Sequence, residues 1–306
     1  MKKYIVTTTI NPPTLATLKF SKMDGWDMII VGDKKTPHDS YKEVEATYLH
    51  PEEQESKYKE LSDAIGWNSI QRRNIGYVEA YNLGADIIAT VDDDNIPYDN
   101  WGKDVMVGQE IEVDLYTTPH GYFDPLSVTN SNQVWHRGYP LEFVPYRLVD
   151  LKYAGKTKRK VLVQADLWDG DPDIDAMARL SVNPTVKFSE ITEPYCSDGI
   201  SPFNSQNTFL AREVMPHYSV IPHVGRMDDI WGGYIMQHYF PGSVIYNKAT
   251  VYQDRNEQDL ITNLENEILG YRRTLDLLED LPNWRSILPP ESLKFVEIYQ
   301  NSLQTD

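Results

Sequence analysis

Three consecutive carboxylates, Asp92-Asp93-Asp94, are the residues whose types and spacing most clearly predict chemistry. Adjacent carboxylates repel one another and resist burial, so a chain places them in water or around a cation. Hard oxygen ligands suit Mg²⁺ or Mn²⁺, which bridge to substrate phosphates and keep several positions for water. We therefore expect Asp92 and Asp94 to bind one of these metals; a solvated acidic turn is the alternative.

The segments around the triplet alternate between strand-like and helix-like patterns. The run DIIATV leads directly into the triplet, and ligand sites in α/β sheets form at the carboxyl ends of strands. Alternation of this kind favours parallel strands joined by crossover helices, so we predict an α/β fold. The predicted strands are 4–10, 28–31, 46–49 and 86–91, and the predicted helices are 52–65 and 69–83.

The second half of the chain is less regular. Residues 115–205 are rich in Pro, Gly, Asn, Asp and aromatic residues, which predicts loops and short strands that wall a cleft. A further strand is predicted at 244–252. An amphipathic helix is predicted at 260–281, and a helical tail follows Pro289-Pro290.

Composition limits the possible partners. The 29 Lys and Arg residues against 46 Asp and Glu residues give a net charge of −17, which argues against nucleic acids and anionic membranes. The single cysteine, Cys196, excludes an intrachain disulfide and a cysteine-based zinc site, and it suits a reducing compartment. No run approaches the roughly 20 apolar residues that span a bilayer. We therefore expect a cytoplasmic protein without a membrane anchor.

Several blocks, read together, resemble one family. They occur in the same order in the STELLO-like proteins and, more distantly, in the reversibly glycosylated polypeptides, which include UDP-arabinopyranose mutases. The resemblance spans about residues 4–270. The blocks are GWDMIIVGDKKTP (25–37), NSIQRRNIGYVEAYNLGADIIATVDDDN (68–95), RGYPLE (137–142), LWDGDPDIDA (167–176), PFNSQNT (202–208), GRMDDIWGGYI (225–235) and VYQDRNEQDL (251–260).

The resemblance implies a GT-A-like α/β fold with a mostly parallel central sheet that binds a nucleotide sugar. On this basis the triplet is identified as a DXD motif. We expect a catalytic domain at 1–255 and a helical C-terminal extension at 256–306 packed on it. Two departures matter: the STELLO proteins carry an N-terminal membrane anchor, which we do not expect here, and Gln253 stands where mutase-like relatives carry His. Gln is a poor metal ligand beside His, which leaves the metal to the triplet, the diphosphate and water.

The resemblance also assigns donor-binding roles. Asp92 is expected to face the ribose or to act through water, and Asp94 to bind the metal directly. Asp93 is either a second ligand or a structural acceptor of hydrogen bonds. Candidates for contacts with the base, ribose, diphosphate or sugar are Thr8, Asn11, Asp33, Arg73, Arg137, Trp168 and Asp169, although strand-end capping, turn formation and solvated helix faces are the alternatives for several of them.

An acidic pair, Asp228-Asp229, is the candidate catalytic group. In the related fold such a pair opens a helix beneath the acceptor site, where one carboxylate could take the proton of an acceptor hydroxyl. Capping of the helix amino terminus is the alternative. Both roles can coexist, and we favour Asp229 for the chemistry.

Three functions remain open at this point. The first is a metal-dependent glycosyltransferase with a nucleotide-sugar donor, expected to be UDP-linked, and an unknown acceptor. The second is a UDP-sugar mutase that interconverts pyranose and furanose rings. The third is a non-catalytic sugar- or partner-binding module that retains the fold. A homo-oligomer is compatible with each of them.

Overall fold

A computed structural model of the chain describes residues 1–255 and 258–304. The strands are β1 (Lys3–Thr9), β2 (Asp27–Gly32), β3 (Thr47–Leu49), β4 (Ile87–Val91), β5 (Asn95–Pro97), β6 (Glu110–Thr117), β7 (Lys152–Lys160), β8 (Val163–Gly170), β9 (Tyr195–Ser197), β10 (Asn207–Ala211) and β11 (Val244–Gln253). The α-helices are α1 (Leu15–Phe20), α2 (Pro51–Lys57), α3 (Lys59–Ile65), α4 (Arg73–Asn82), α5 (Ala176–Ser181), α6 (Asp228–Tyr239), α7 (Leu260–Glu279) and α8 (Pro290–Ser302).

One sheet runs through the molecule in the order β3-β2-β1-β4-β10-β8-β11-β9-β6-β7, and β5 pairs with β11. The strands β3, β2, β1 and β4 are mutually parallel, whereas β10 is antiparallel to both β4 and β8. Strands β8 and β11 are parallel to each other, and because β10 is antiparallel to both β4 and β8, they run in the same direction as β4. The carboxyl ends of β4, β8 and β11 therefore meet the amino end of β10 at one edge. This is an α/β fold, as the sequence predicts, and its sheet is wholly parallel in the first half and mixed in the second.

The central strands are buried because both sheet faces are covered. In β1, Ile5 and Val6 are fully buried, and so are Ile88 and Ala89 in β4. Successive side chains of a strand point to opposite faces, so a continuous apolar run indicates packing on both sides. The apolar pattern alone thus places β1 and β4 at the centre of the fold.

The predicted strands of the first half are confirmed to within a residue or two, and so are the strand at 244–252 and the helical tail after Pro289. The helix predicted at 52–65 is instead two helices, because Tyr58 leaves the helical conformation (φ −131°, ψ 40°). There the Lys57 ammonium and the Tyr58 hydroxyl both reach Glu79 of α4. The helix predicted at 69–83 begins with a 3-10 turn, Ile70–Arg72, before α4.

The expectation of only short strands in residues 115–205 is wrong. Strand β7 has nine residues and β8 has eight, and β8 is buried along its whole length. Strand β7 pairs antiparallel with β6 at the sheet edge, where Glu112 faces Lys158 and Asp114 faces Lys156. Opposite charges across the pair stabilise such an edge, and lysines discourage edge-to-edge association.

The C-terminal helices pack on the rest of the chain. Helix α7 packs against α5 and the turn Gly225–Met227, and α8 packs against α3. The indole of Trp231 in α6 donates to the Thr274 hydroxyl of α7 at 3.0 Å. The division into a domain at 1–255 and an extension at 256–306 stays a prediction, since its boundary falls at residues 256–257, outside the described part. No helix within 1–255 or 258–304 has the length and apolar character needed to cross a membrane.

We expect Gly76→Ala to destabilise the fold. In an open helix interior this change adds about 1 kcal/mol of stability. At Gly76, however, a Cβ atom would lie 2.5 Å from Val6 Cγ1 and 2.9 Å from Val31 Cγ2. These β-branched side chains are stiff, so α4 must move away from the sheet, at a cost of about 1–3 kcal/mol. Urea unfolding measures the change, and a stabilised variant would contradict this packing.

Candidate functional site

A cavity of about 480 Å³ lies at the edge where the strand ends meet. The triplet follows β4, Arg255 lies just beyond β11, and Ser205 and Gln206 precede β10. Helix α6 points its amino terminus at the same cavity. The carboxylates that line it are Asp92, Asp94, Asp173, Asp228 and Asp229, and its cations are Arg137, Arg226 and Arg255.

Asp93 has a structural role. Its carboxylate Oδ2 accepts hydrogen bonds from the Thr9 hydroxyl at 2.5 Å and the Asn11 side-chain amide at 3.0 Å. Its backbone carbonyl accepts from the Thr14 hydroxyl. These contacts tie the triplet to the segment that leaves β1, which corresponds to the structural alternative that the sequence left open for Asp93.

Asp92 is paired with a buried guanidinium. Arg73 is fully buried, and its Nη2 donates to Asp92 Oδ1 while Nη1 donates to the Ser205 carbonyl at 2.6 Å. Burial alone would lower the pKa of Arg73, but the charge of Asp92 outweighs it and the pKa is raised. Arg73 thus lies beneath the cavity and anchors Asp92.

Asp94 is the member of the triplet that faces the cavity without a bonded cation among the residues that the structure describes. Burial is the main cause that raises the pKa of Asp94, to about 7, and the charges of Asp92 and Asp93 add to it. The side-chain amide nitrogen of Gln253 lies 3.4 Å and 3.5 Å from its two carboxylate oxygens. A carboxyl destabilised by burial and like charges gains most from a divalent cation.

The residues present fit a metal that also binds a ligand's phosphates. Within 1–255 and 258–304, no three or more His, Cys, Asp or Glu side chains are grouped around one ion position. Carboxylate, imidazole and thiol groups of the described residues therefore do not enclose an ion by themselves. Mg²⁺ is usually bound by one or two carboxylates together with substrate phosphates and water, and Asp94 with Asp92 supplies that number.

Arg137 binds two acidic residues at once. Its Nε and Nη2 each donate to Asp173 at 2.9 Å, and its Nη1 donates to Asp229 at 3.0 Å. Asp229 also accepts from the backbone N–H of Ser205 at 2.8 Å and from its hydroxyl at 3.0 Å. Burial opposes the ionisation of Asp229, yet Arg137 and these hydrogen bonds prevail, and its pKa is lowered. Asp229 is therefore a stable anion with its acceptor positions occupied.

Asp228 has the opposite properties. It begins α6, lines the cavity and accepts a hydrogen bond from the Gln71 side chain at 2.6 Å. Burial, followed by the charge of Asp229, raises the pKa of Asp228 to about 7. A general base works best with a pKa near the working pH. The geometry thus makes Asp228, rather than the Asp229 that we favoured, the better candidate proton acceptor.

Two cations of the cavity, Arg255 and Arg226, were missed by sequence reasoning. Arg255 pairs with Asp171 at 3.1 Å, and Arg179 pairs with the same carboxylate at 2.6 Å, so two guanidinium groups share one negative charge. Arg226 pairs with the buried Glu267 at 2.7 Å. The position of Arg255 directly after the last strand was the available signal, because ligand sites gather at strand ends.

Besides Arg73 and Asp93, five further residues assigned to the donor site bind protein atoms instead of lining the cavity. The Thr8 hydroxyl donates to the Val31 carbonyl, and Asn11 contacts Asp93. The Asp33 carboxylate accepts from three backbone N–H groups that precede α4 or follow β2. A ligand-binding role for these three stays a prediction.

Trp168 and Asp169 are the other two. The buried indole of Trp168 donates to the Asp171 carbonyl at 3.1 Å. The Asp169 carboxylate accepts from the Tyr98 hydroxyl at 2.8 Å and the Phe188 backbone at 2.9 Å. These contacts fix the end of β8 beneath the site, and sugar binding by either residue also stays a prediction.

No family model matches the sequence. It is similar to two proteins of Arabidopsis thaliana named probable glycosyltransferases, with 25% identity to STELLO2 over 293 residues and 22% to STELLO1 over 298 residues. Each alignment covers 86% of this chain but 38% of the relative, so the chain spans less than two fifths of their length. The predicted resemblance to the STELLO proteins is confirmed.

Among solved structures the chain is similar to glucosyl-3-phosphoglycerate synthase from Mycobacterium tuberculosis. The complex of that enzyme with Mn²⁺, UDP and glucosyl-3-phosphoglycerate gives a TM-score of 0.47 at 13% identity, covering 92% of this chain and 79% of the other. Its complex with Mg²⁺ and UDP gives a TM-score of 0.44 at 11% identity, with the same coverage.

The raised pKa of Asp228 predicts a pH-dependent stability. A carboxyl whose pKa rises on folding, from about 4 to about 7, binds its proton more tightly in the folded state. The stability it contributes is complete below about pH 4 and is lost as the pH rises from 4 through 7, by at most about 1.4 kcal/mol per pH unit. Asp228→Asn lacks this proton and should gain stability relative to the wild type over that range.

Urea unfolding of both proteins at several pH values between 4 and 8 measures the difference. The exposed Asp99→Asn variant controls for the loss of one carboxylate. A difference between Asp228→Asn and the wild type that stays constant with pH would contradict the burial of an uncompensated Asp228.

Proposed function

We propose that the chain is a glycosyltransferase that binds a UDP-linked sugar with Mn²⁺ or Mg²⁺ and transfers the sugar to an acceptor hydroxyl. The observation that carries this proposal is the pairing of two functions in one cavity. Asp94 offers an uncompensated carboxylate for a metal, and Asp228 offers a second one for a proton. The similarity to probable glycosyltransferases supports the same reaction class.

The donor diphosphate would bind beside Asp94. When bound, a divalent metal supplies Lewis-acid stabilisation of the departing diphosphate. Asp94 would hold the metal directly, and Asp92, kept in place by Arg73, would contribute its cavity-facing side or bind through water. Arg255 would attract the diphosphate, since Arg179 already helps to neutralise their shared partner Asp171.

The acceptor hydroxyl would approach Asp228. The Gln71 amide holds one oxygen of this carboxylate, and Asp228 takes the proton from the hydroxyl as the new glycosidic bond forms. Proton transfer to a positioned base typically contributes 10²–10⁴ in rate. Asp229 does not titrate in this scheme, because Arg137 keeps it ionised; it fixes the start of α6 relative to Ser205.

We expect Asp94→Asn to abolish metal-dependent donor binding while the fold persists. A ligand at a hundredfold excess over its Kd adds about 2.7 kcal/mol of stability, so UDP should raise the Tm of the wild type more strongly with Mn²⁺ than with EDTA. The variant should lose the Mn²⁺-dependent part. Its own Tm should not fall, because Asn removes a carboxylate that burial disfavours.

Thermal-shift measurements with UDP and a panel of UDP-sugars, each with Mn²⁺ or EDTA, provide the test, and Asp99→Asn serves as the matched control. An equal Mn²⁺-dependent shift in Asp94→Asn would remove the triplet from the metal site. A wild type without any shift would favour the non-catalytic binding module.

A second variant separates binding from turnover. Asp228→Asn should bind Mn²⁺ and UDP with wild-type affinity but release UDP from the best-binding UDP-sugar about 10²–10⁴ times more slowly in the presence of an acceptor. Coupled UDP-release assays measure the rate, and calorimetry measures the affinity. Unchanged turnover would exclude Asp228 as the base. Interconversion of sugar rings without an acceptor would instead identify a mutase.

A further inference from the structure

Three side-chain amides form a hydrogen-bonded chain between two carboxylates of the cavity. Asn204 Nδ2 donates to Asp173 Oδ2 at 3.0 Å and to Gln206 Oε1 at 3.1 Å. Gln206 Nε2 donates to Gln253 Oε1 at 2.7 Å. Gln253 Nε2 then faces Asp94 at 3.4 Å and 3.5 Å. All three amides are buried, with 3–6% of their surface exposed.

The direction of this chain is fixed from its Asp173 end. Ionised Asp173 can only accept, and Arg137 keeps it ionised by a bidentate contact. Asn204 must therefore turn its NH₂ group towards Asp173, and the second hydrogen of that group meets the Gln206 oxygen. The Asn204 oxygen is held in turn by the Gln206 backbone N–H at 3.1 Å.

The same direction continues to Asp94. Because its oxygen accepts from Asn204, Gln206 presents its NH₂ group to Gln253. The Gln253 oxygen accepts that hydrogen bond, so its own NH₂ group is the one directed at Asp94. The arrangement is consistent at both ends, since a carboxylate oxygen accepts and an amide N–H donates.

Secondary structure holds the chain in register. Gln253 is the last residue of β11, and Gln206 immediately precedes β10. Strand β8 lies between these two strands, and the ends of β10 and β11 meet at the cavity edge. The Gln206 carbonyl also accepts from Asn95 Nδ2 at 3.2 Å, next to the triplet. Flipping one amide would therefore leave buried donors facing each other without acceptors, and burial disfavours such unsatisfied groups.

We propose that Gln253 and Gln206 are positioning residues for Asp94, with the amide of Gln253 locked so that it presents N–H rather than oxygen to the metal site. Gln253 then orients the Asp94 carboxylate and contributes no ligand of its own. This inference rests on the proposed metal–UDP function. Partners of this kind, one step removed from the ion, commonly change metal affinity 10–100-fold.

Gln206 affects Asp94 only through Gln253, and a double-mutant cycle tests this coupling. Gln253→Met keeps the chain length but removes the donor to Asp94, so the Kd for Mn²⁺ in the presence of UDP should rise about 10-fold or more. Gln206→Met unlocks the Gln253 amide and should weaken binding in the same direction. The double variant should bind no more weakly than Gln253→Met alone.

Calorimetric titration of Mn²⁺ into the UDP-saturated protein measures each Kd, and urea unfolding of the metal-free proteins verifies the folded state. Gln237→Met is the matched control. It removes a buried amide of α6 that bonds to Ser201 and Gly233, outside this cavity, and should leave the Kd unchanged.

Independent, additive effects of the two variants would overturn the proposed coupling, and an unchanged or lower Kd for Gln253→Met would overturn the positioning role. A wild type that binds no Mn²⁺ with UDP would instead overturn the proposed function itself. The wild-type titration therefore separates failure of the function from failure of the amide chain.

Discussion

The ion pairs of Arg137 with Asp173 and Asp229 are the interaction on which the cavity depends. Three charged groups are buried together, and a buried charge is tolerated only when it is paired and hydrogen-bonded. The guanidinium meets that condition for both acids, and it joins the loop after β8 to the start of α6. Removing it would leave two buried carboxylates without their cation, which is a far larger penalty than the loss of a surface pair.

The cations in and beneath the cavity are distributed unequally among its carboxylates. Arg73 is committed to Asp92, Arg137 to Asp173 and Asp229, and Arg226 to Glu267. Asp94 and Asp228 share the cavity, yet neither has a hydrogen-bonded cation among the described residues. Burial therefore raises the pKa values of Asp94 and Asp228, whereas Arg137 and hydrogen bonds overcome burial at Asp229 and lower its pKa. Pairs of titratable groups whose environments separate their pKa values are typical of acid–base and metal chemistry.

The sequence was sufficient for the features that depend on neighbouring residues. An apolar run followed by three Asp located the end of β4, and the strands β1 and β2 could be recognised from their β-branched residues. Strand β8 could not, because its buried Gln164 and Asp166 interrupt the apolar pattern. These polar groups satisfy one another at 2.8 Å, and Asp166 also accepts from Thr250 of β11.

Long-range pairing explains the remaining differences at the site. Arg137 lies 36 positions from Asp173 and 92 from Asp229, so no local pattern indicates that the three meet. For that reason the sequence could identify the pair Asp228-Asp229 but not which member is neutralised. Arg73 was recognised as a cation near the triplet, whereas its complete burial depends on how α4 packs beneath β4.

The overall acidity of the chain makes the pairing of the cavity arginines important for the proposed donor binding. A net charge of −17 repels a nucleotide-linked anion on average, so binding of the proposed donor would require a local concentration of positive charge. Among the cavity cations of residues 1–255 and 258–304, Arg137 and Arg226 are already neutralised by acids, and only the Arg179–Asp171–Arg255 cluster has an excess positive charge. One excess charge does not balance a diphosphate. A divalent ion at Asp94 would provide the missing charge, and for this reason donor binding and metal binding are expected to be a single coupled event.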